Sequence, residues 1–209
     1  MVTRVRKVAG TVVVKRKYSG FSLEEALGLV PTELLIPWNI GSAPLPPSAI
    51  LTEILARFES FDLTGSEPAK IMLIDAILIE VVPRHPKIKV WKGEPLETDA
   101  MTGFTDYLIA PKRAYVKAPL LCVVEAKKDD FEGSEAQCVA EMVACRWNNR
   151  QSGTIIPIYG IVSNGNGWQF YCLTTQNTVQ QSALFGLNNL SDLLGAVDYL
   201  CAGCAKHAP

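Results

Sequence analysis

The stretch Leu120-Leu-Cys-Val-Val-Glu-Ala-Lys127 decides the fold class of this chain. It opens on five apolar residues in a row, which is typical of a strand covered on both faces of a sheet. Charged residues follow only at its end, where Glu125 and Lys127 flank Ala126. Because the side chains of a strand alternate between faces, Glu125 and Lys127 point the same way, about 6.6 Å apart along the strand. The stretch therefore predicts a central strand with an acid and a lysine at one end.

Predicted helices and strands surround this central strand. A helix opens at Ser66-Glu-Pro and extends to about Val82, where Pro83 ends it. The predicted strands 87–96 and 103–110 precede the central strand 120–127. After it come a helix over 133–147, two strands over 155–163 and 167–173 that flank the turn Asn164-Gly-Asn-Gly167, and a helix over 191–202. The order α-β-β-β-α-β-β-α predicts an α/β sandwich, with a mixed sheet between helices on both faces.

The 209 residues suit one domain with an added subdomain. Residues 1–64 contain a short helix capped at Ser22 and an amphipathic helix from Ile50 to about Ser60, separated by a proline-rich break over 41–47. We interpret 1–64 as an N-terminal extension packed on the core, and 65–209 as the main domain.

Two segment types are missing from the sequence. Its apolar runs fall short of the ~18 residues that a membrane span needs. No apolar segment of the kind found in secretory signal peptides follows the N-terminal residues. We therefore expect a cytoplasmic protein that does not enter a membrane.

The charges are nearly balanced, with 20 Lys and Arg against 21 Asp and Glu. A nucleic-acid-binding protein usually shows a basic excess. The positive residues are, however, grouped near the N-terminus and around the central strand, where we expect phosphate contacts; a solvated basic arm is the alternative. They are Arg4, Arg6, Lys7, Lys15, Arg16 and Lys17, and then Lys112, Arg113, Lys117 and Lys128.

Asp106 is the single charged residue of the predicted strand 103–110. If this strand pairs with the central one, Asp106 lies opposite Glu125 or diagonal to it. Two facing carboxylates repel each other unless a cation lies between them, and Mg²⁺ is the usual one. Lys127 would then hold a metal-bound water in line with a phosphorus. The alternative for Glu125 and Lys127 is a solvent-facing salt bridge at a strand end.

An Asp on one strand and Glu-Xaa-Lys on the next, between two helices, resembles the PD-(D/E)XK nuclease superfamily over roughly residues 66–175. In detail the chain is similar to uncharacterised bacterial, often cyanobacterial, members that carry Glu-Ala-Lys-Lys-Asp-Asp and a Gln in the next helix. The resemblance implies a restriction-endonuclease-like three-layer sandwich. It departs from many members at Thr105, where they have proline.

The resemblance also implies the site residues. Asp106 matches the first motif acid, Glu125 the second acid and Lys127 the lysine, while the backbone carbonyl of Ala126 would be a further metal ligand. Gln137 in the next helix either faces the active site or belongs to an ordinary polar helix surface, to which we assign Glu141.

Some superfamily members carry a further acid on the first core helix. Glu67 fits that spacing, although an acid at a helix N-terminus is favoured by the helix dipole in any case. Asp75 stands among apolar residues and needs a partner, for which a structural hydrogen bond is the simpler role. Glu80 is the third candidate on this helix.

The predicted function is a Mg²⁺-dependent or Mn²⁺-dependent nuclease that hydrolyses phosphodiester bonds, with DNA favoured over RNA as substrate. A homodimer is implied by the resemblance alone. The alternative is a non-catalytic nucleic-acid-binding module or defence-complex subunit on the same fold.

Overall fold

A computed structural model describes residues 7–8, 11–12, 14–31, 34–63, 66–126 and 131–209. In these ranges the strands are, in chain order, β1 (Lys7–Val8), β2 (Thr11–Val12), β3 (Arg16–Lys17), β4 (Leu35–Trp38), β5 (Ile88–Lys92), β6 (Pro95–Glu97), β7 (Met101–Phe104), β8 (Tyr107–Pro111), β9 (Cys122–Ala126), β10 (Ile158–Ser163), β11 (Gly167–Leu173), β12 (Val179–Ser182) and β13 (Phe185–Gly186). The α-helices are α1 (Leu23–Leu27), α2 (Ala49–Phe58), α3 (Glu67–Val81), α4 (Phe131–Gln151) and α5 (Leu190–His207).

The central sheet has the strand order β4-β12-β11-β10-β9-β8-β5, with β13 also pairing with β11. β9 and β10 are parallel, as are β12 and β4, while the other neighbouring pairs are antiparallel. β9, from the quoted stretch, lies inside the sheet and is buried at all five positions. The chain is therefore an α/β protein with a mixed sheet, as its sequence predicts.

Helices cover both faces of the sheet and enclose two separate cores. On one face, α3 and α5 pack against alternate residues of β8, β9 and β10, with Val124 among them. On the other face, α4 packs against the intervening residues, which include Val123. α3 is apolar nearly all round because α2, α5 and the sheet surround it.

Two of the predicted strands are each divided in two. Gly93 adopts φ +64°, a left-handed conformation that glycine tolerates, and it turns the chain after β5. A bend at Thr105–Asp106 separates β7 from β8. β6 and β7 consequently leave the central sheet and form a three-stranded sheet with β3. The predicted strands 87–96 and 103–110 ran through these bends, although Gly93 and Pro95 are residues that favour turns.

The sequence also failed to reveal β4, β12 and β13. These strands have two to four residues, and β4 contains Pro37, so none shows a clear alternating pattern. β4 belongs to the predicted extension 1–64, yet it pairs with β12 at the edge of the central sheet. This part of the extension therefore completes the sheet, and the element order contains more strands than predicted.

The hairpin predicted at Asn164-Gly-Asn-Gly167 joins β10 to β11. The side-chain oxygen of Asn164 accepts hydrogen bonds from the backbone N–H groups of Asn166 and Gly167, at 3.2 and 2.8 Å. Within the described ranges, no helix is long and apolar enough to cross a membrane.

Candidate active site

Asp106 and Glu125 lie at the same end of two neighbouring strands. β8 and β9 are antiparallel, with Tyr107 opposite Val124. Asp106 precedes Tyr107 and Glu125 follows Val124, so both acids come at the end of this strand pair. Asp106 Oδ2 accepts a hydrogen bond of 2.8 Å from the backbone N–H of Ala126. The two strand ends are thus joined at the position where the sequence places both acids.

Glu125 points into the layer beneath α4. Its neighbours Val124 and Ala126 belong to the core beneath α3 and α5, whereas Val123 belongs to the core beneath α4. Alternation along the strand therefore turns Glu125 towards α4. The Glu125 side chain is fully buried.

α4 brings two polar side chains to the same place. Gln137 and Glu141 are one helical turn apart, and Gln137 Nε2 donates a hydrogen bond of 3.0 Å to Glu141 Oε1. Gln137 is 8% exposed and Glu141 is fully buried. The expectation that Glu141 lies on the surface is therefore wrong, and so is the interpretation of Gln137 as ordinary polar helix surface.

The sequence contained a signal for this burial. Cys138, Met142 and Cys145 share the face of α4 that carries Glu141, and all three are fully buried in the core beneath the helix. Positions 138, 141, 142 and 145 recur at helical spacing, so Glu141 lies inside an apolar stripe. A polar residue within such a stripe faces the core with its neighbours.

The electrostatics of the site centre on Glu141. Burial raises the pKa of the Glu141 carboxyl well above its ordinary value. The charges of the neighbouring Glu125 and of Asp106 raise this pKa further, while the hydrogen bond from Gln137 acts in the opposite direction. Two carboxyl groups in contact in a dry environment are not both ionised unless a cation lies between them. This group of side chains therefore holds either a proton or a cation.

The donor chemistry fits a hard divalent cation. Asp106, Glu125 and the Ala126 carbonyl offer oxygen atoms alone, which Mg²⁺ and Mn²⁺ prefer. Across the described part of the chain, no group of three or more His, Cys, Asp or Glu side chains is arranged to hold a metal ion. Mg²⁺ does not require such a cage, since it is usually bound by one or two carboxylates together with water and phosphate oxygens.

The side chains of two predicted site residues are not among the described parts of the structure. Lys127 falls outside the described residues. Glu67 is the first residue of α3, as predicted, but its side chain is not among the parts described.

The other acids of α3 have structural partners. Lys92 Nζ donates to both Asp75 oxygens at 2.9 and 2.8 Å, and the Tyr107 hydroxyl donates to Asp75 Oδ1 at 2.8 Å. Glu80 accepts hydrogen bonds from the backbone N–H and the hydroxyl of Ser48, both at 2.8 Å. Asp75 therefore has the structural role that its sequence context favoured, tying α3 to β5 and β8.

Three of the four basic residues expected around the central strand do not lie beside the acids, and the fourth, Lys128, falls outside the described residues. β8 begins just after Asp106 and ends at Pro111, so the loop over 112–119 lies at the opposite end of the strand, about 16 Å from Asp106. This removes Lys112, Arg113 and Lys117 from the site, because the extended strand between them and Asp106 carries them to its other end. Near the N-terminus, Lys15 is paired with Glu97 and Arg16 with Glu25, at 2.8 and 2.5 Å.

Comparison with the models of known protein families and with curated proteins yields no match to this chain.

Proposed function

We propose that this protein is a divalent-metal-dependent phosphodiester hydrolase that cuts nucleic acid, with DNA as the favoured substrate. The observation that carries the proposal is the hydrogen bond of 2.8 Å from the Ala126 N–H to Asp106, which joins the two strand ends beside the pair Tyr107–Val124 and so brings Asp106 and Glu125 to one end of β8 and β9. This is the position that the nuclease resemblance requires. The proposal includes the restriction-endonuclease-like form of the sandwich, with α3 and α4 on either side of the catalytic strands.

Each residue has a defined task in the proposed reaction. Asp106, Glu125 and the Ala126 carbonyl would hold Mg²⁺ or Mn²⁺, and the bound ion would neutralise charge at the phosphate and lower the pKa of water. Lys127, two residues after Glu125 in the sequence, holds the attacking water in line with the phosphorus. Gln137 holds the Glu141 side chain in position beside Glu125 through its hydrogen bond to Glu141. Glu67, at the start of α3, is the further acid of the proposed site.

The decisive experiment measures cleavage and metal binding in parallel. The purified chain is incubated with DNA and, separately, RNA in the presence of Mg²⁺ or Mn²⁺, and Mn²⁺ binding is followed by electron paramagnetic resonance. Asp106→Asn and Glu125→Gln are expected to weaken Mn²⁺ binding and to lower cleavage at least about a hundredfold. Lys127→Met is expected to lower cleavage similarly while Mn²⁺ binding remains.

Two exposed residues provide matched controls. Glu59→Gln, after the end of α2, and Lys206→Met, in the last turn of α5, remove the same charges at exposed positions outside the proposed site. Both are expected to retain cleavage and Mn²⁺ binding. The absence of metal-dependent cleavage, together with Mn²⁺ binding that is unchanged in Asp106→Asn, would overturn the proposal.

The same experiment tests the alternative function. A non-catalytic binding subunit predicts that nucleic acid binds equally well with Mg²⁺ and with a chelator, and that no product forms. Sedimentation of the active protein tests the proposed homodimer, in which two copies would each cut one strand.

A further inference from the structure

The C-terminal part of α4 carries a pair of arginines, at the end of the sheet that is far from Asp106 and Glu125. Arg146 and Arg150 are one helical turn apart, and both donate to the same atom, Asn177 Oδ1, at 2.6 and 3.3 Å. Asn177 lies in the turn between β11 and β12. Arg146 is only 9% exposed, whereas Arg150 is exposed.

This arrangement has an unmatched positive charge. In the described part of the chain, neither arginine has a carboxylate within salt-bridge distance. Their shared partner is a neutral amide oxygen, although buried cations are normally paired with anions. The pKa of Arg146 is lowered to about 10, mainly by burial and to a smaller extent by the nearby charge of Arg150. Two cations thus converge on one uncharged acceptor.

We propose that Arg146 and Arg150 form a binding site for a phosphate group. A guanidinium offers several N–H donors in one plane, which match the oxygens of a phosphate, and two guanidinium groups can each bind the same anion. The exposed Arg150 and the nearly buried Arg146 give the site an open side and a dry side. Asn177 holds both groups ready before the anion arrives.

The site is separate from the carboxylates of the proposed nuclease. Asn177 follows β11, whose last residue Leu173 pairs with Ile158 at the start of β10. Ser163, at the end of β10, pairs with Ala126 beside the carboxylates. The length of β10 therefore separates the two sites by about 16 Å. The phosphate site consequently does not depend on the proposed nuclease activity.

A purely structural role is the competing explanation, because cations in the last turn of a helix interact favourably with its dipole. The two roles differ in their response to phosphate. A structural pair stabilises the fold equally in phosphate and in chloride. A phosphate site makes the melting temperature rise with phosphate concentration at constant ionic strength.

The test titrates inorganic phosphate into the full chain, in the absence of divalent metal, by calorimetry and thermal unfolding. Arg150→Gln is expected to weaken phosphate binding at least about tenfold, and Arg150→Lys to restore part of it, because the charge returns without the planar group. Arg57→Gln is the matched control, since it removes the same charge from an exposed arginine on α2 that pairs with Glu53. It is expected to bind phosphate like the unmodified chain.

Arg150 is exposed, so its variants should fold even if Arg146→Gln does not. The proposal is overturned if the unmodified chain shows no saturable binding of phosphate, or if Arg150→Gln binds it as tightly as Arg57→Gln. A second titration with a DNA oligonucleotide, also without metal, identifies the source of the phosphate. Weaker DNA binding by Arg150→Gln, but not by Arg57→Gln, assigns the site to the nucleic-acid backbone. A loss confined to inorganic phosphate assigns it to a free phosphate or a phosphate monoester.

Discussion

Asp106 accepts a hydrogen bond of 2.8 Å from the backbone N–H of Ala126, and this bond joins the beginning of β8 to the end of β9. Asp106→Ala removes the acceptor and leaves the N–H of Ala126 without it, which we expect to cost about 1–3 kcal/mol of unfolding free energy. Asp106→Asn keeps an oxygen at this position and should cost less. Urea unfolding of both variants checks the difference. Equal stability of the two would show that the bond contributes nothing to the fold.

The contact between Glu141 and Glu125 predicts a pH dependence of stability. The Glu141 pKa is raised in the folded state, whereas in the unfolded chain the carboxyl ionises near 4.5. The folded state therefore binds more protons between these two values, and its stability falls as pH rises. The stabilising effect is complete below about pH 4.5 and is lost as pH passes through the raised pKa of the folded state.

Glu141→Gln removes this titration. We expect the variant to gain stability relative to the unmodified chain as pH increases, measured as the midpoint of urea unfolding from pH 5 to pH 9. Glu59→Gln, at an exposed position, should follow the profile of the unmodified chain. Parallel profiles for the Glu141 variant and the unmodified chain would contradict the prediction.

Asn149 fastens the end of α4 to the chain just before β9. Its side-chain oxygen accepts from the N–H of Leu120 at 2.7 Å, and its side-chain NH₂ donates to the Leu120 carbonyl at 2.8 Å. Asn149 is 1% exposed, so Asn149→Leu leaves two buried backbone groups without partners. We expect a loss of roughly 2 kcal/mol or more in urea unfolding. Asn149→Asp retains the acceptor but not the donor, and it should also be destabilised.

Gly160 allows α4 to lie close against β10. A Cβ at this position would be 2.6 Å from Cys138 Sγ and 2.7 Å from Met142 Sδ, so Gly160→Ala should cost about 1–3 kcal/mol. Adding Cys138→Ala removes the nearer sulfur and should recover part of the loss. Thermal unfolding of the single and double variants measures this coupling. Gly41→Ala is the control, because no atom beyond its two chain neighbours lies within 4 Å of its added Cβ.

Several elements could be predicted from local sequence. The central strand, α3, α4 and the hairpin at Asn164-Gly-Asn-Gly167 carry strong apolar periodicity or turn residues, and the structure contains all of them. The edge pairing of β4 with β12 could not be predicted in this way. A strand of four residues at a sheet edge is stabilised by its neighbour, and this neighbour is more than a hundred residues away in sequence.

The sequence by itself indicated that an apolar strand ends in Glu125-Ala-Lys127 and that the preceding predicted strand, 103–110, carries a single charged residue, Asp106. It did so because the alternation of side chains is a local property of a strand. Tertiary structure alone decided which side chains meet these acids and which stay away from them. The packing of α4 buries Glu141 against Glu125, and the length of β8 carries the basic loop over 112–119 to the other end of the sheet. Both results depend on how a whole helix or strand is placed, which neighbouring residues in the sequence do not encode.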